Sequence, residues 1–202
     1  MGLKDLKRNF LLDTAIELFF MSSIEKVTIR DIAQKANVGE ATLYRYFGNK
    51  TNIVFAAVRK LQSIVASNYF KVEKGNSGYD KLSIFYHSYL DIFNERVEFY
   101  RFIREFDLFV ITQDDTNLSE YENEINQYKN FYLESYKLGL KDGTIKEIED
   151  IELFYFTSTH SLIELCKKLS STKSVLPQDE RIEKSKEIEC LINAFLKLLT
   201  NS

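Results

Sequence analysis

The side chains best suited to chemistry crowd into residues 28–50, TIRDIAQKANVGEATLYRYFGNK. Glu40, Ala41, Thr42, Tyr44, Arg45 and Tyr46 offer a carboxylate, a methyl group, hydroxyls and a guanidinium within seven consecutive positions. These groups suit the edges of base pairs. Arginine grips guanine at two acceptors, an Ala or Thr methyl packs on the thymine methyl, and a carboxylate accepts from cytosine N4. Thr28 and Arg30 precede this set and are placed to reach the flanking backbone. Lys50 follows it, in the first turn of a further helix, where free N–H groups and the helix dipole attract phosphate. No carboxylate shares that turn. Catalysis has no comparable cluster. His87 is far in sequence from His160, Cys166 from Cys190, and no glycine-rich phosphate loop occurs. No nucleophile–base pair, metal set or cofactor site is expected. A lone His inside a helix is more often structural than ligand-binding, and carboxylates such as Glu122 and Glu124 read as solvated.

Short helices must hold that cluster in place. Apolar residues recur at helical spacing almost throughout, which predicts an all-α fold of about nine helices. The first runs from Lys4 to Met21, with Leu11, Ala15, Leu18 and Phe19 on one face. Ser22 to Lys26 forms a corner. Thr28 with Asp31 makes a capping box that starts a brief second helix. Asn37-Val38-Gly39 is a tight turn, because Asn tolerates the left-handed backbone that ends a helix. A third helix follows over Glu40–Phe47. Ile32, Ala33, Val38, Leu43 and Phe47 would form the core fixing the crossing angle. Two short helices about a three-residue turn make a helix-turn-helix, whose second helix enters the major groove. Asn49 caps a fourth helix running to about Lys71, and Lys71–Asp80 looks like a linker. Five more helices are expected: Tyr79–Glu95, Glu98–Thr112, Leu118–Leu140, Asp150–Ser171 and Gln178–Leu199, with Pro177 just before the last.

Composition agrees with this reading. In 202 residues there are 1 Pro and 7 Gly, fewer than a sheet protein's turns require. Hydrophobic residues make up 45% and charged residues 28%, as in a globular protein. No apolar run is long enough to span a membrane, and the charged N-terminal stretch reads as an amphipathic helix rather than a signal peptide. Two distant cysteines suit a reducing, cytoplasmic setting. The net charge of −3 is uneven: residues 1–60 carry 10 Lys/Arg and 6 Asp/Glu, whereas the remainder carries 17 and 24. A basic first third on an acidic body points to a polyanionic partner.

Residues 12–53 resemble the N-terminal domain of the TetR family of transcriptional regulators. LDTAIELF, TIRDIA, the turn, TLYRYF and NK occur in the family's order and spacing. Ser23, Asn37 and Gly39 stand where the family usually has Gly, Gly and Ser, and Glu40 where a more basic residue is common. The resemblance implies a helix-turn-helix head over residues 1–50, a long connecting helix at about 49–71, and a body over 72–202 that binds ligand and dimerises. It further implies a homodimer built through the last two helices. In those helices Ile151, Phe154, Tyr155, Ser158, Leu162 and Leu165, then Ile182, Ile188, Leu191, Ile192, Phe195, Leu198 and Leu199, would form a four-helix interface or, alternatively, an intramolecular hairpin. A body cavity is implied as well. Tyr89, Phe93, Tyr128, Tyr132 and Tyr155 would line it for an apolar or aromatic small-molecule inducer. The function expected is that of a ligand-responsive regulator, most simply a repressor released from a palindromic DNA operator. The alternatives are a helical ligand-binding or adaptor protein that does not use the head on DNA, or an all-α enzyme.

Overall fold

The structure is a computed structural model describing residues 2–70, 76–113, 118–173 and 177–200. Among these residues there are nine α-helices and no strand. They are α1 (Leu3–Met21), α2 (Ile29–Lys35), α3 (Glu40–Phe47), α4 (Lys50–Tyr69), α5 (Gly78–Glu95), α6 (Val97–Ile111), α7 (Ser119–Asp142), α8 (Ile151–Leu169) and α9 (Lys184–Leu199). A 3₁₀ turn, Pro177–Arg181, precedes α9. No described helix is long and apolar enough to cross a membrane.

By packing, the chain divides into two units: residues 1–63 with 101–121, and residues 64–100 with 122–202. This division falls within α4, α6 and α7. Residues 71–75 of the linker expected over 71–80 lie outside the described set. Its remaining residues cap and open α5, with the Ser77 hydroxyl accepting the Asp80 N–H.

The core of the first unit is set by local sequence. On α1, Leu11, Ala15 and Phe19 are buried as the period demands, while Leu18 is half-buried. Ile24 and Val27 close the corner beneath α2. Phe102 and Phe106 of α6 lie 6.5 Å apart. Phe102 meets Phe19 at 6.1 Å, and Phe106 meets Phe55 edge-on at 5.4 Å. Offset and edge-to-face contacts of this kind add to the gain from burial itself.

The second unit centres on Phe85, which is fully buried on α5. A close backbone approach fixes α5 against the end of α7. A side chain at Gly78 would overlap the backbone of Gly139, so glycine is required there. The Gly78 N–H donates to Asp142 at 2.8 Å and the Tyr79 N–H to Thr144 at 3.2 Å. The last helix starts six residues later than the sequence predicts. No side chain caps its N-terminus. Tertiary bonds set the start instead: Lys184 Nζ donates to the Ser171 carbonyl at 2.8 Å, and Ser185 Oγ to Asn94 at 2.6 Å.

Candidate nucleic-acid interface

The helix-turn-helix is built from caps and one left-handed residue. Thr28 is the N-cap of α2. Its hydroxyl accepts the Asp31 N–H at 3.1 Å, and its own N–H donates back to the Asp31 carboxylate at 2.8 Å. The Thr28 hydroxyl also donates to the Asp31 carboxylate at 2.7 Å, and together with the Thr28 N–H it holds that carboxyl below its ordinary pKa. The turn closes through the Ala36 N–H to Ile32 and the Val38 N–H to Ala33, at 2.9 and 3.0 Å. Asn37 takes φ 52°, the one positive φ on a non-glycine residue among those described. Ser23 therefore needs no left-handed backbone, and the first corner tolerates serine where the family often has glycine. Gly39 is extended, at φ −75° and ψ 149°, with open space where a side chain would stand. Gly48, at φ 80°, ends α3.

This scaffold sorts the residues of α3 by face. Leu43 and Phe47 are buried, as are Ile32, Ala33 and Ala36, and Val38 is half-buried. Glu40, Ala41, Tyr44 and Arg45 are exposed, with Tyr44 at 51%, and Thr42 and Tyr46 are half-exposed. The Arg45 guanidinium stands 5.5 Å from the Tyr46 ring centroid, close enough for a cation–π contact that restrains both side chains. Arg30 is exposed at the start of α2.

Lys50 holds a different position from the one its spacing suggests. Asn49 caps α4 by accepting the Asn52 N–H at 2.8 Å, which puts Lys50 in the first turn as expected. However, the Lys50 ammonium donates to the Glu25 carbonyl at 2.9 Å, tying α4 to the corner between α1 and α2. Burial lowers its pKa, opposed by the nearby Glu25 and Asp31 carboxylates. One of its three donors is thus committed to the protein. Sequence spacing carries no sign of this bond, because Glu25 is 25 positions away.

Residues 11–57 match the bacterial regulatory proteins of the tetR family. The transcriptional repressor KstR2 of Rhodococcus jostii (strain RHA1) is 27% identical over 157 residues, covering 74% of this chain and 72% of that protein. The likeness to the TetR family thus rests on residues 11–57 and on a relative 27% identical. The fold agrees. The ketosteroid transcriptional regulator KstR2 of Mycobacterium tuberculosis superposes with a TM-score of 0.68 at 16% identity, over 96% of this chain and 95% of that one. A tetR-family regulatory protein from Rhodococcus RHA1 gives a TM-score of 0.74 at 12% identity, over the whole of both chains.

In this chain, four of the five residues expected to line a ligand cavity meet in one aromatic cluster. Tyr89, Tyr132 and Tyr155 surround Phe85, with ring centroids 5.9, 5.2 and 6.3 Å away. Tyr128 joins through Phe70, at 4.9 Å. Phe93 instead packs on Tyr100, at 6.3 Å. Tyr132 is fully buried, and its hydroxyl is 2.8 Å from that of Tyr86, which in turn lies 2.8 Å from Ser158 Oγ. Ser158 donates onward to the Tyr155 carbonyl at 3.1 Å. The three hydroxyls therefore form a relay ending on α8, which sequence periodicity could not reveal. Burial pushes the Tyr86 phenol up to about 12, against the pull of its two hydroxyl partners. His87 Nδ1 bonds its own helix at the Ser83 carbonyl, at 2.8 Å, and His160 is exposed.

The two last helices also differ in detail from expectation. Tyr155, Ser158, Leu162, Ile188, Ile192 and Leu199 are buried within the single chain, where α9 packs on α5 and α8. The intramolecular hairpin thus buries six of the thirteen residues named for an interface, and five more are half-buried. Leu153, Phe156 and Leu198 remain exposed on α8 and α9.

Proposed function

We propose that this chain is a ligand-responsive repressor that binds a palindromic operator as a homodimer. The observation that carries the reading is the sorting of α3. Leu43 and Phe47 anchor it, and Glu40, Ala41, Thr42, Tyr44, Arg45 and Tyr46 are left on the accessible side. In a major groove these side chains supply direct readout, and Thr28, Arg30 and the free donors of Lys50 contact flanking phosphates. One short helix reads few base pairs, so a second copy and two half-sites about one helical turn apart supply the specificity. The dimer face uses the outward sides of α8 and α9, where Leu153, Phe156 and Leu198 await cover. The protein acts where the chromosome is, in the cytoplasm.

The inducer is an apolar or aromatic small molecule admitted among Tyr89, Tyr128, Tyr132 and Tyr155, with Phe93 nearer the edge of that region. One relative's name, ketosteroid regulator, makes polycyclic apolar compounds the first class to offer. Binding there favours an arrangement in which the two heads no longer match the half-site spacing, and α4 carries the change, since it has residues in both packing units. Selection on random duplexes yields the operator, and Arg45→Ala then tests the reading. The variant should lose about 1–3 kcal/mol of operator affinity with its fold intact. Unchanged affinity in a folded Arg45→Ala protein removes α3 as the reading helix.

A further inference from the structure

The first turns of α1 carry a surface that the spacing of residues 28–50 does not announce. Leu3, Leu6 and Phe10 are exposed, Leu3 at 86%. With Lys4, Lys7 and Tyr46 they line an open groove of about 750 Å³. Bare apolar side chains clustered on one helix end favour cover by a partner. The partner's charge is indicated by the lysines. Lys4 and Lys7 are three positions apart, so they leave α1 on one face. The ion pairs Lys35–Glu17, Arg59–Glu120 and Lys60–Asp13 of this unit engage neither Lys4 nor Lys7. The adjacent Asp5 carboxylate is turned back onto the Gly2 N–H at 3.1 Å. Lys7 stands 5.2 Å from the Phe10 ring centroid, and Arg8 stands 5.0 Å from that of Phe47.

Tyr46 decides which polyanion fits. It is a wall of this groove and also belongs to the accessible side of α3. The groove is therefore continuous with the face proposed to read bases. We infer that the start of α1 is a second clamp on the same duplex. Lys4 and Lys7 neutralise phosphates beside the half-site, while Leu6, Phe10 and the Tyr46 ring cover deoxyribose faces. A second copy of the chain fits poorly, because apposed Lys4 and Lys7 would repel. This clamp rests on α3 reading duplex DNA. It adds affinity without sequence preference, as backbone contacts do.

The test is a salt series with operator and scrambled duplexes, followed by fluorescence anisotropy, on the wild type, Lys4→Gln/Lys7→Gln and Lys4→Arg/Lys7→Arg. The Gln pair keeps the stems and loses the charge. In a dimer it removes four phosphate contacts, each contributing about 0.9 to the slope of log affinity against log salt. The slope should flatten by about 3.6, so that a fourfold rise in salt costs the Gln variant roughly 10²-fold less affinity than it costs the wild type. The ratio of operator to scrambled binding should hold, and the Arg pair should restore the slope. A Gln variant with the wild-type slope overturns the clamp while leaving the α3 reading intact. Wild-type protein that ignores every duplex overturns both. Charge-dependent binding of the wild type to anionic vesicles, with no change in the DNA slope, also overturns it and assigns the surface to a membrane.

Discussion

Replacing Lys50 by methionine separates two roles that spacing alone merges. The structure gives the ammonium a bond to the Glu25 carbonyl at 2.9 Å. A hydrogen bond from a charged donor contributes about 1.5–3 kcal/mol. Two things reduce that figure here. Lys50 is half-buried, and the burial that lowers its pKa is itself a cost of keeping the charge there. Glu25 is exposed, so water can take over its carbonyl when the lysine is gone. The net loss for Lys50→Met is then roughly 1 kcal/mol, or a fall in melting temperature of about 2–4 °C for a chain of this size. The sign of the pH dependence is also set. A lysine whose folded pKa lies below 10.5 binds its proton less tightly folded than unfolded, so its contribution to stability rises with pH between those two values. Thermal melts of wild type and Lys50→Met across alkaline pH measure both effects. The gap between the two proteins should widen as pH climbs towards 10.5. A variant that melts at or above the wild type would show that the bond does not staple the corner. DNA titration isolates the second role: on the proposed reading the two remaining donors of Lys50 contact phosphate, so its loss should weaken all duplexes about equally and reduce the salt slope by about 1 per protomer.

Three further substitutions probe other parts of the reasoning. Gly39→Ser places a hydroxyl at the N-cap of α3, in open space and at an ordinary φ. It should raise stability by a few tenths of a kcal/mol in urea melts without loss of DNA binding. Tyr86→Phe removes the middle of the hydroxyl relay, leaving Tyr132 and Ser158 each short of a partner, and should cost about 1–3 kcal/mol, more than Tyr132→Phe at the end of the chain. The same burial raises the Tyr86 and Tyr155 phenols to about 12, so their stabilising effect is complete below pH 10 and lost as pH rises towards 12, which tyrosinate absorbance alongside circular dichroism would follow. Gly78→Ala forces a methyl group into the Gly139 backbone. The expected loss is about 3 kcal/mol, at the top of the usual overpacking range, and a melt close to wild type would contradict the close crossing of α5 and α7.

What was legible in the sequence follows from how far each constraint reaches. The head is specified by short-range chemistry. Thr28 with Asp31 and Asn49 before α4 act within three residues, so their bonds could be read from spacing and appear at 2.8–3.1 Å, and Asn37 takes the left-handed turn its type suggested. Lys50 to Glu25 escaped notice because it spans 25 positions. The body shows the same rule in reverse. Periodicity placed aromatic residues on inward faces correctly, yet it could not say which would meet. Phe93 joined Tyr100, and Tyr86, absent from the expected lining, became the centre of the relay. The start of α9 went wrong for the same reason, since Ser171, just past α8, and Asn94 of α5 fix it.

The burial of α8 and α9 residues carries that argument into function. An apolar stripe on an amphipathic helix can be satisfied by its own chain or by a copy, and composition does not distinguish them. Here the inward stripe is consumed by α5 and by the α8–α9 hairpin. The proposed dimer would therefore draw on the thinner outward set, Leu153, Phe156 and Leu198, where Phe156 already shares one ring face with the Lys129 ammonium at 5.0 Å. An interface of so few apolar anchors is one that a modest rearrangement of α8 can shift. Such a face suits a regulator whose two heads must change their spacing when a ligand binds, because the dimer need not be broken for the register with DNA to be lost.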